Sequence, residues 1–304
     1  MGAARQRTLK AAIGCAGVGL HGGEKVAMRL VPAPADSGIV LRRIDLGGAE
    51  IAARHTNIVS STMCTTLGDG NGVGVATVEH LMAALAGLGV DNAVIELDGP
   101  EVPIMDGSAA PFVFLIECAG IVEQAAPRRV IEVLKPVVVS EGARAIRLMP
   151  AAAFSLTFAI AYEHPVIGRQ SCAIALVDGA FKREIARART YGFLSDVDRL
   201  RGMGLVLGGS LDNAVVLDDD GVINDEGLRY ADELVRYKAL DCIGDLYLAG
   251  APLMAHVEAT ASGHGLNARL LEALFADETA WRLVTLDEAV ERDWPADQPI
   301  AATA

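Results

Sequence analysis

A chain of 304 residues, 52% hydrophobic and only 21% charged, is long enough for two domains and too apolar to be globally disordered. Its net charge of -13 argues against nucleic-acid binding as a main task, because phosphates would be repelled, yet leaves room for one anionic ligand in a local basic pocket. Five scattered cysteines with no CxxC pair predict reduced thiols in a cytoplasm, and the lack of a long uncharged apolar run predicts no membrane-spanning segment.

The first ten residues, "MGAARQRTLK", have no apolar signal core, and Gln6 stands where a myristoylation motif has Ser or Thr. The runs "AAIGCAGVGLHGGEKVAMRLVPA" and "SGIVLRRIDL" predict strands broken by glycine. "TVEHLMAALAGLGV" predicts a helix, with Thr77 as N-cap and Leu81, Leu85 and Leu88 at helical spacing. The strand "NAVIEL", the loop "DGPEVPIMDGS" and the apolar helix "APFVFLIECAG" follow, with Ser108 as an N-cap and Asp106 in the turn. The polar stretch "EQAAPRRV" predicts a domain boundary. The Gly- and Asp-rich segment from Tyr191 to Gly221 predicts an insertion or a mobile loop region.

A long helix is predicted over about 226–250, then the strand "APLMAHVEAT", the loop "ASGHG" and the helix "LNARLLEALFA". Helix, strand, Gly-rich loop and helix thus occur twice. This order predicts an α+β chain of two domains of similar topology, each with helices packed on a mostly antiparallel sheet. The expected division is 1–125, then 126–286 with an insertion near 194–217, then a disordered tail over 287–304.

Several residues invite chemistry. Glu79-His80 lies inside an apolar helix, where two adjacent titratable groups are costly unless paired or bound to metal. The pair reads either as a hydrogen-bonded core histidine beside an exposed glutamate, or as a zinc ligand beside a general base. A full HExxH is absent, since Ala84 stands four residues after His80. Tyr237, Asp241 and Asp245 recur every four residues on the long helix, as a solvated stripe or as ligands. An ion pair of Lys238 with Asp241, worth roughly 0.2–0.5 kcal/mol, does not account for so polar a stripe. His264, between glycines, is an exposed loop histidine or a proton donor and acceptor near neutral pH. "MCTT" at 63–66 is uninformative alone, and the P-loop, dinucleotide and GxSxG patterns are missing.

Together, "STMCTTLG", "TVEHLMAALAGLGVDNAVIELDGPEVPIMDGSAAPFVF", "ARTYGF", "VRYKALDCIGDLYLAG" and "SGHGLNARLLEALFAD" resemble the UDP-3-O-acyl-N-acetylglucosamine deacetylases, the zinc hydrolases of lipid A synthesis. The resemblance runs from about residue 7 to about 286, and its longest block, 77–114, is highly specific. It implies two similar α+β domains with small insertions and the active site between them. By position, His80 and Asp241 match zinc ligands, and Glu79 matches the general base. His264 matches the charged histidine that protonates the leaving amine, and Asp245 the carboxylate that orients it. Lys238 and Thr190 match residues at the reacting centre. Residues 194–217 match the passage for the acyl chain, Cys64 a thiol near the metal, and Arg144 a lysine that contacts substrate. The implied reaction is hydrolysis of the N-acetyl group of UDP-3-O-(3-hydroxyacyl)-N-acetylglucosamine by a monomeric, cytoplasmic zinc amidase that takes a small-molecule substrate and no nucleic acid.

The chain departs from the family at one ligand. Where the family has Arg-His-Lys, with the histidine on zinc, this chain has Arg236-Tyr237-Lys238. A phenol, with an ordinary pKa of about 10, must lose a proton to bind well, and phenolate favours harder ions such as ferric iron. Weak zinc binding and slow turnover are therefore expected, or occupancy by another divalent or ferric ion. The alternative is a catalytically impaired variant that binds the acylated UDP-sugar.

Overall fold

The computed structural model describes residues 4–177 and 179–290. The first half runs β1 (Arg5–Leu9), β2 (Ile13–Val18), β3 (Lys25–Pro32), β4 (Ile39–Arg43), β5 (Ala49–Ala52), and the short β6 (Ile58–Ser60), β7 (Thr66–Gly68) and β8 (Gly74–Val75). It continues with α1 (Glu79–Leu88), β9 (Ala93–Leu97), α2 (Ala110–Ala119) and β10 (Ile121–Pro127). The second half runs β11 (Arg129–Val133), β12 (Val137–Glu141), β13 (Arg144–Pro150), β14 (Ser155–Ala161), β15 (Arg169–Ala175), α3 (Ala180–Glu184), β16 (Tyr191–Phe193), α4 (Leu194–Gly202) and β17 (Val215–Leu217). It ends with α5 (Glu233–Tyr247), β18 (Leu253–Thr260), α6 (His264–Ala276), β19 (Trp281–Thr285) and α7 (Leu286–Val290).

The two halves share one wiring. In the first, hairpins β2–β3 and β4–β5 flank β9, which pairs antiparallel with β3 and parallel with β4. In the second, hairpins β12–β13 and β14–β15 flank β18, which pairs antiparallel with β13 and parallel with β14. The chain is thus an α+β fold of two topologically similar, mostly antiparallel units. Strand β3 shows why such runs make half-buried strands: Val26, Met28 and Leu30 face the core, while Lys25, Ala27 and Arg29 face water.

Helices fill the space between the sheets. α5 packs on β14 and β15, α6 on β12 and β13, α2 beside β2, and α1 lies against α5. α1 is buried over its first seven residues and α5 along most of its length, so the polar groups on both helices are buried with them. One glycine sets their separation: a Cβ on Gly244 would lie 2.0 Å from the Glu79 carbonyl oxygen. One large apolar core runs through both halves, with a small second cluster of Val130, Met254 and Ala289 beside it.

Several expectations need correction. Thr77 is no N-cap: its φ is +58° and its hydroxyl donates to Glu101 Oε1 at 2.9 Å, so α1 begins only after Val78. α5 starts at Glu233, not near 226, because Arg189 gathers the Glu226 carboxylate and the Gly227 carbonyl (2.6 and 2.7 Å) and Gly227 turns at φ +66°. His264 opens helix α6 behind Gly263, and its side chain is buried, so it is neither a loop residue nor exposed. Glu79 is likewise buried.

The expected division at 125/126 falls inside β10, and sheet membership changes at Arg128, between β10 on β1 and β11 on β18 and β19. The expected disorder from 287 is overturned for 287–290, which form most of α7. There Thr285 and Glu288 exchange reciprocal capping bonds, Ala289 is buried against Val130 and Met254, and Asp287 accepts from the Ala4 amide. The remaining tail, 291–304, lies outside the described residues. No helix among the described residues is long and apolar enough to cross a membrane.

Candidate active site at the seam of the two halves

α1 and α5 bring their polar residues together where Gly244 lets them touch. Glu79 and His80 come from the first turn of α1, and Tyr237, Lys238, Asp241 and Asp245 from one face of α5. His264 arrives from the first turn of α6, and Thr190 from the residue before β16. All eight candidates from the sequence therefore converge. All but Lys238 are buried, and its side chain is 21% exposed.

His80 Nε2 lies 3.7 Å from Asp241 Oδ1 and 3.3 Å from the Tyr237 hydroxyl. Donor atoms of Glu79, His80 and Asp241 all lie within 4.8 Å of one another, the one such group found among the described residues. Burial lowers the His80 pKa against the pull of Asp241, which leaves a neutral imidazole, the form that ligates metal. Asp241 Oδ2 accepts from Lys238 Nζ at 2.9 Å, but Oδ1 is buried with no hydrogen-bond partner. An orphaned carboxylate oxygen beside a neutral imidazole is costly alone and fits a bound cation. Burial would lower the Lys238 pKa, yet Asp241 reverses that and keeps the ammonium charged.

The Tyr237 phenol completes the cluster beside His80. Burial, then Asp241 and Glu79, push the Tyr237 pKa well above 10, so the hydroxyl keeps its proton. The nearby Thr190 side chain works against this rise without reversing it. Tyr191 packs edge-on to Tyr237 with centroids 5.7 Å apart, and the Lys238 ammonium sits 4.9 Å from the Tyr237 ring centre. The residues present therefore fit a cation through His80 and Asp241, with a neutral phenol as a weak third donor.

His264 and Glu79 face each other beside this cluster. His264 Nε2 is 3.7 Å from Glu79 Oε1 and 3.9 Å from Asp241 Oδ2, while Nδ1 is 2.8 Å from Asp245 Oδ2. Burial alone would lower the His264 pKa, but Asp245 and Glu79 raise it to about 10, so it is an imidazolium at neutral pH. Burial raises Glu79 to about 8 despite the nearby His264. Asp245 is held below its ordinary value: burial opposes this, and His264, Thr65 and Asn267 overcome it.

Residues 191–217 line an apolar cavity of about 270 Å³ with Leu20 of the first half. Phe193, Leu194, Val197, Leu200 and Val206 form its wall, and Thr190 is at its edge beside the site. Arg144 opens β13 and donates Nε to the Ala261 carbonyl at 3.0 Å, close to Gly263 and His264. Cys64 is buried, and burial and Glu79 raise its pKa to about 11, so it is a thiol.

Sequence reasoning missed Thr65, which contacts Glu79, Asp245 and His264, Asn267, which donates to Asp245, Ser262, which donates to Asn267, and Glu101, which accepts from the His21 and Gly22 amides and from Thr77. Asn267 had a readable signal, three residues after His264 on one helix face. Thr65 had none, because its partners are 14 and 180 residues away.

The match to known proteins agrees with this geometry. The model of the UDP-3-O-acyl N-acetylglycosamine deacetylase (LpxC) family matches residues 6–276. The chain is 52% identical to the UDP-3-O-acyl-N-acetylglucosamine deacetylase of Acidithiobacillus ferrooxidans over 99% of both chains. It is 52% identical to that of Teredinibacter turnerae over 93% of this chain and 94% of the relative. For Stenotrophomonas maltophilia the identity is 51%, over 95% and 96%.

Proposed function

The chain belongs to the UDP-3-O-acyl-N-acetylglucosamine deacetylase family, and on that premise we propose that it hydrolyses the N-acetyl group of UDP-3-O-(3-hydroxyacyl)-N-acetylglucosamine and releases acetate, a step of lipid A biosynthesis. The proposed setting is the cytoplasm, and the working form a monomer of two domains. The observation that carries this reading is the buried meeting of His80 and the unpartnered Asp241 Oδ1 with Glu79 and His264.

His80, Asp241 and the Tyr237 hydroxyl would hold the ion. When bound, zinc supplies a water activated near neutral pH and a Lewis acid for the amide carbonyl. Glu79 takes the proton of the attacking water, and beside a cation its carboxyl is ionised despite burial. The Lys238 ammonium and the Thr190 hydroxyl stabilise the negative charge that develops on the carbonyl oxygen. His264 hands its Nε2 proton to the leaving amine, and Asp245 keeps the Nδ1 proton in place. The 270 Å³ cavity accepts the acyl chain, and Arg144 lies where a phosphate of the substrate could be bound.

The Tyr237 phenol supports a second reading, a protein that binds the acylated UDP-sugar and turns it over slowly or not at all. One experiment separates the two. Zinc content and acetate release are measured for the purified protein and for Tyr237→His, with and without added zinc. The variant is expected to hold zinc more tightly and to be faster by at least roughly 10-fold, the loss typical even of outer partners of a metal site. A full equivalent of tightly held zinc in the unaltered protein, with activity equal to Tyr237→His, would sink the idea that Tyr237 weakens the site. Substrate binding without acetate release, at saturating zinc, would establish the binder.

A further inference from the structure

Thr65 lies in the loop between β6 and β7, in the run Met63-Cys64-Thr65-Thr66. Its backbone is strapped to the start of α1: the carbonyl accepts from the Val78 amide at 3.3 Å, and the amide donates to Glu79 Oε2 at 3.1 Å. Its hydroxyl donates to Asp245 Oδ1 at 2.6 Å, and the same oxygen is 3.3 Å from His264 Nδ1. Asp245 Oδ2 is held from the other side by Asn267 Nδ2 at 2.8 Å, and Asn267 Oδ1 accepts from the Ser262 hydroxyl at 2.7 Å. Thr65 is 2% exposed and Asn267 is 1% exposed.

The proton count is unambiguous. The single Thr65 hydroxyl proton goes to Asp245 Oδ1, so Thr65 is only an acceptor toward His264. The Nδ1 proton of His264 then points at Asp245 Oδ2, with Thr65 Oγ1 as a weaker second acceptor. Nε2 is left facing Glu79 and Asp241. Among the described residues, Thr65 is thus the one whose hydrogen bonds reach the side chains of Glu79, Asp245 and His264 together.

Resting on the deacetylase reading above, we propose that Thr65 is a positioning residue of the reaction, one that registers the base Glu79 against the acid His264 by holding both carboxylates, with Asn267 clamping Asp245 from behind. It touches no reacting atom and acts only through the groups it holds. Its hydroxyl fixes the Asp245 carboxylate plane and so the ring orientation of His264, while its amide fixes the rotamer of Glu79.

The test compares Thr65→Val, which keeps the amide and shape but removes the hydroxyl, with Thr65→Ser, which keeps the hydroxyl, and with Thr66→Val as a neighbouring control. Thr65→Ala serves the same purpose if the valine protein does not fold. Two quantities are read. The first is the proton resonance of His264 Nδ1–H in the ¹⁵N-histidine-labelled protein, which needs no turnover. It is expected to be sharp and far downfield in the unaltered, Thr65→Ser and Thr66→Val proteins, and broadened or lost in Thr65→Val. The second is the kinetic split in the Tyr237→His background. There kcat is expected to fall roughly 10- to 100-fold in Thr65→Val with KM within about twofold, and to recover in Thr65→Ser. An unchanged Nδ1–H resonance in both Thr65→Val and Thr65→Ala overturns the proposal, as does an unchanged kcat in an active background. Absence of any deacetylation speaks against the parent reading alone, because the resonance still reports whether Thr65 holds the pair.

Discussion

His264 and Glu79 face each other at 3.7 Å with their ordinary ionisation reversed: the histidine holds its proton up to about pH 10, and the carboxyl up to about 8. The sign of the consequence follows from linkage. The His264 pKa is raised above its ordinary 6.5, so its contribution to stability is fully present below 6.5 and is lost as pH rises through 10. The Glu79 value is raised above 4.5, so between 4.5 and 8 the folded protein again holds more protons than the unfolded chain, and stability again falls with rising pH. The metal-free protein is therefore expected to melt at progressively lower temperature from pH 7 to 10, and His264→Gln is expected to flatten that decline. A melting curve independent of pH over this range would contradict the pairing. Spacing offered His80 and Asp241 as possible metal ligands only beside a blander reading of each, since they meet across two helices 161 positions apart by their numbers. The match to a family pattern decided between those readings beforehand, and it gave Tyr237 the place of a ligand. The Thr65 clamp escaped both routes, because a threonine in "MCTT" carries no local sign of what its hydroxyl meets.

The elements themselves were readable where pattern and tertiary context agree. The alternation of β3 and the apolar run of α1 give the same answer locally and in the fold. Misreadings fell where tertiary contacts overrode a local signal. Thr77 has an N-cap residue type but is drawn away by Glu101 into a positive φ that a β-branched residue rarely adopts. The start of α5 is set by the buried Arg189–Glu233 pair at 2.9 Å, not by helix propensity near 226. The reverse case is α7, whose Thr285-x-x-Glu288 capping box is a plain local signal in a stretch too short and polar to attract notice. At this scale the contact of α1 with α5 is the element to probe. Gly244→Ala would thrust a methyl group into the Glu79 carbonyl, so the helices must part. Overpacking of this kind typically costs about 1–3 kcal/mol. Urea unfolding of Gly244→Ala is expected to show that loss together with weakened metal binding. Unchanged unfolding and unchanged binding would mean that the helices have slack.

On the scale of the whole molecule, the apolar cavity reaches from the site into residues of both halves, since Leu20 joins the wall built by 191–217. If it takes the acyl chain, filling it discriminates between substrates. Val197→Trp, on the partly exposed side of α4, is expected to raise KM for the long-chain 3-O-acyl substrate by roughly 10-fold or more while fold stability stays nearly constant. A KM unchanged for the long chain would remove the cavity from the substrate path. With a net charge of -13, the negative part of the proposed substrate would have to be met locally, by a group such as Arg144, and not by the surface as a whole.

The shared wiring of the two sheets has a consequence for ancestry. Strands β2 to β5 with α1 and β9 correspond to strands β12 to β15 with α5 and β18, as copies of one duplicated unit would. Yet the copies no longer carry the same chemistry. One helix has a glutamate and a histidine in its first turn, and the other has aspartates in its middle and last turn. Neither now has a spare set, so a change such as the tyrosine at 237 in one copy has no counterpart in the other to compensate it.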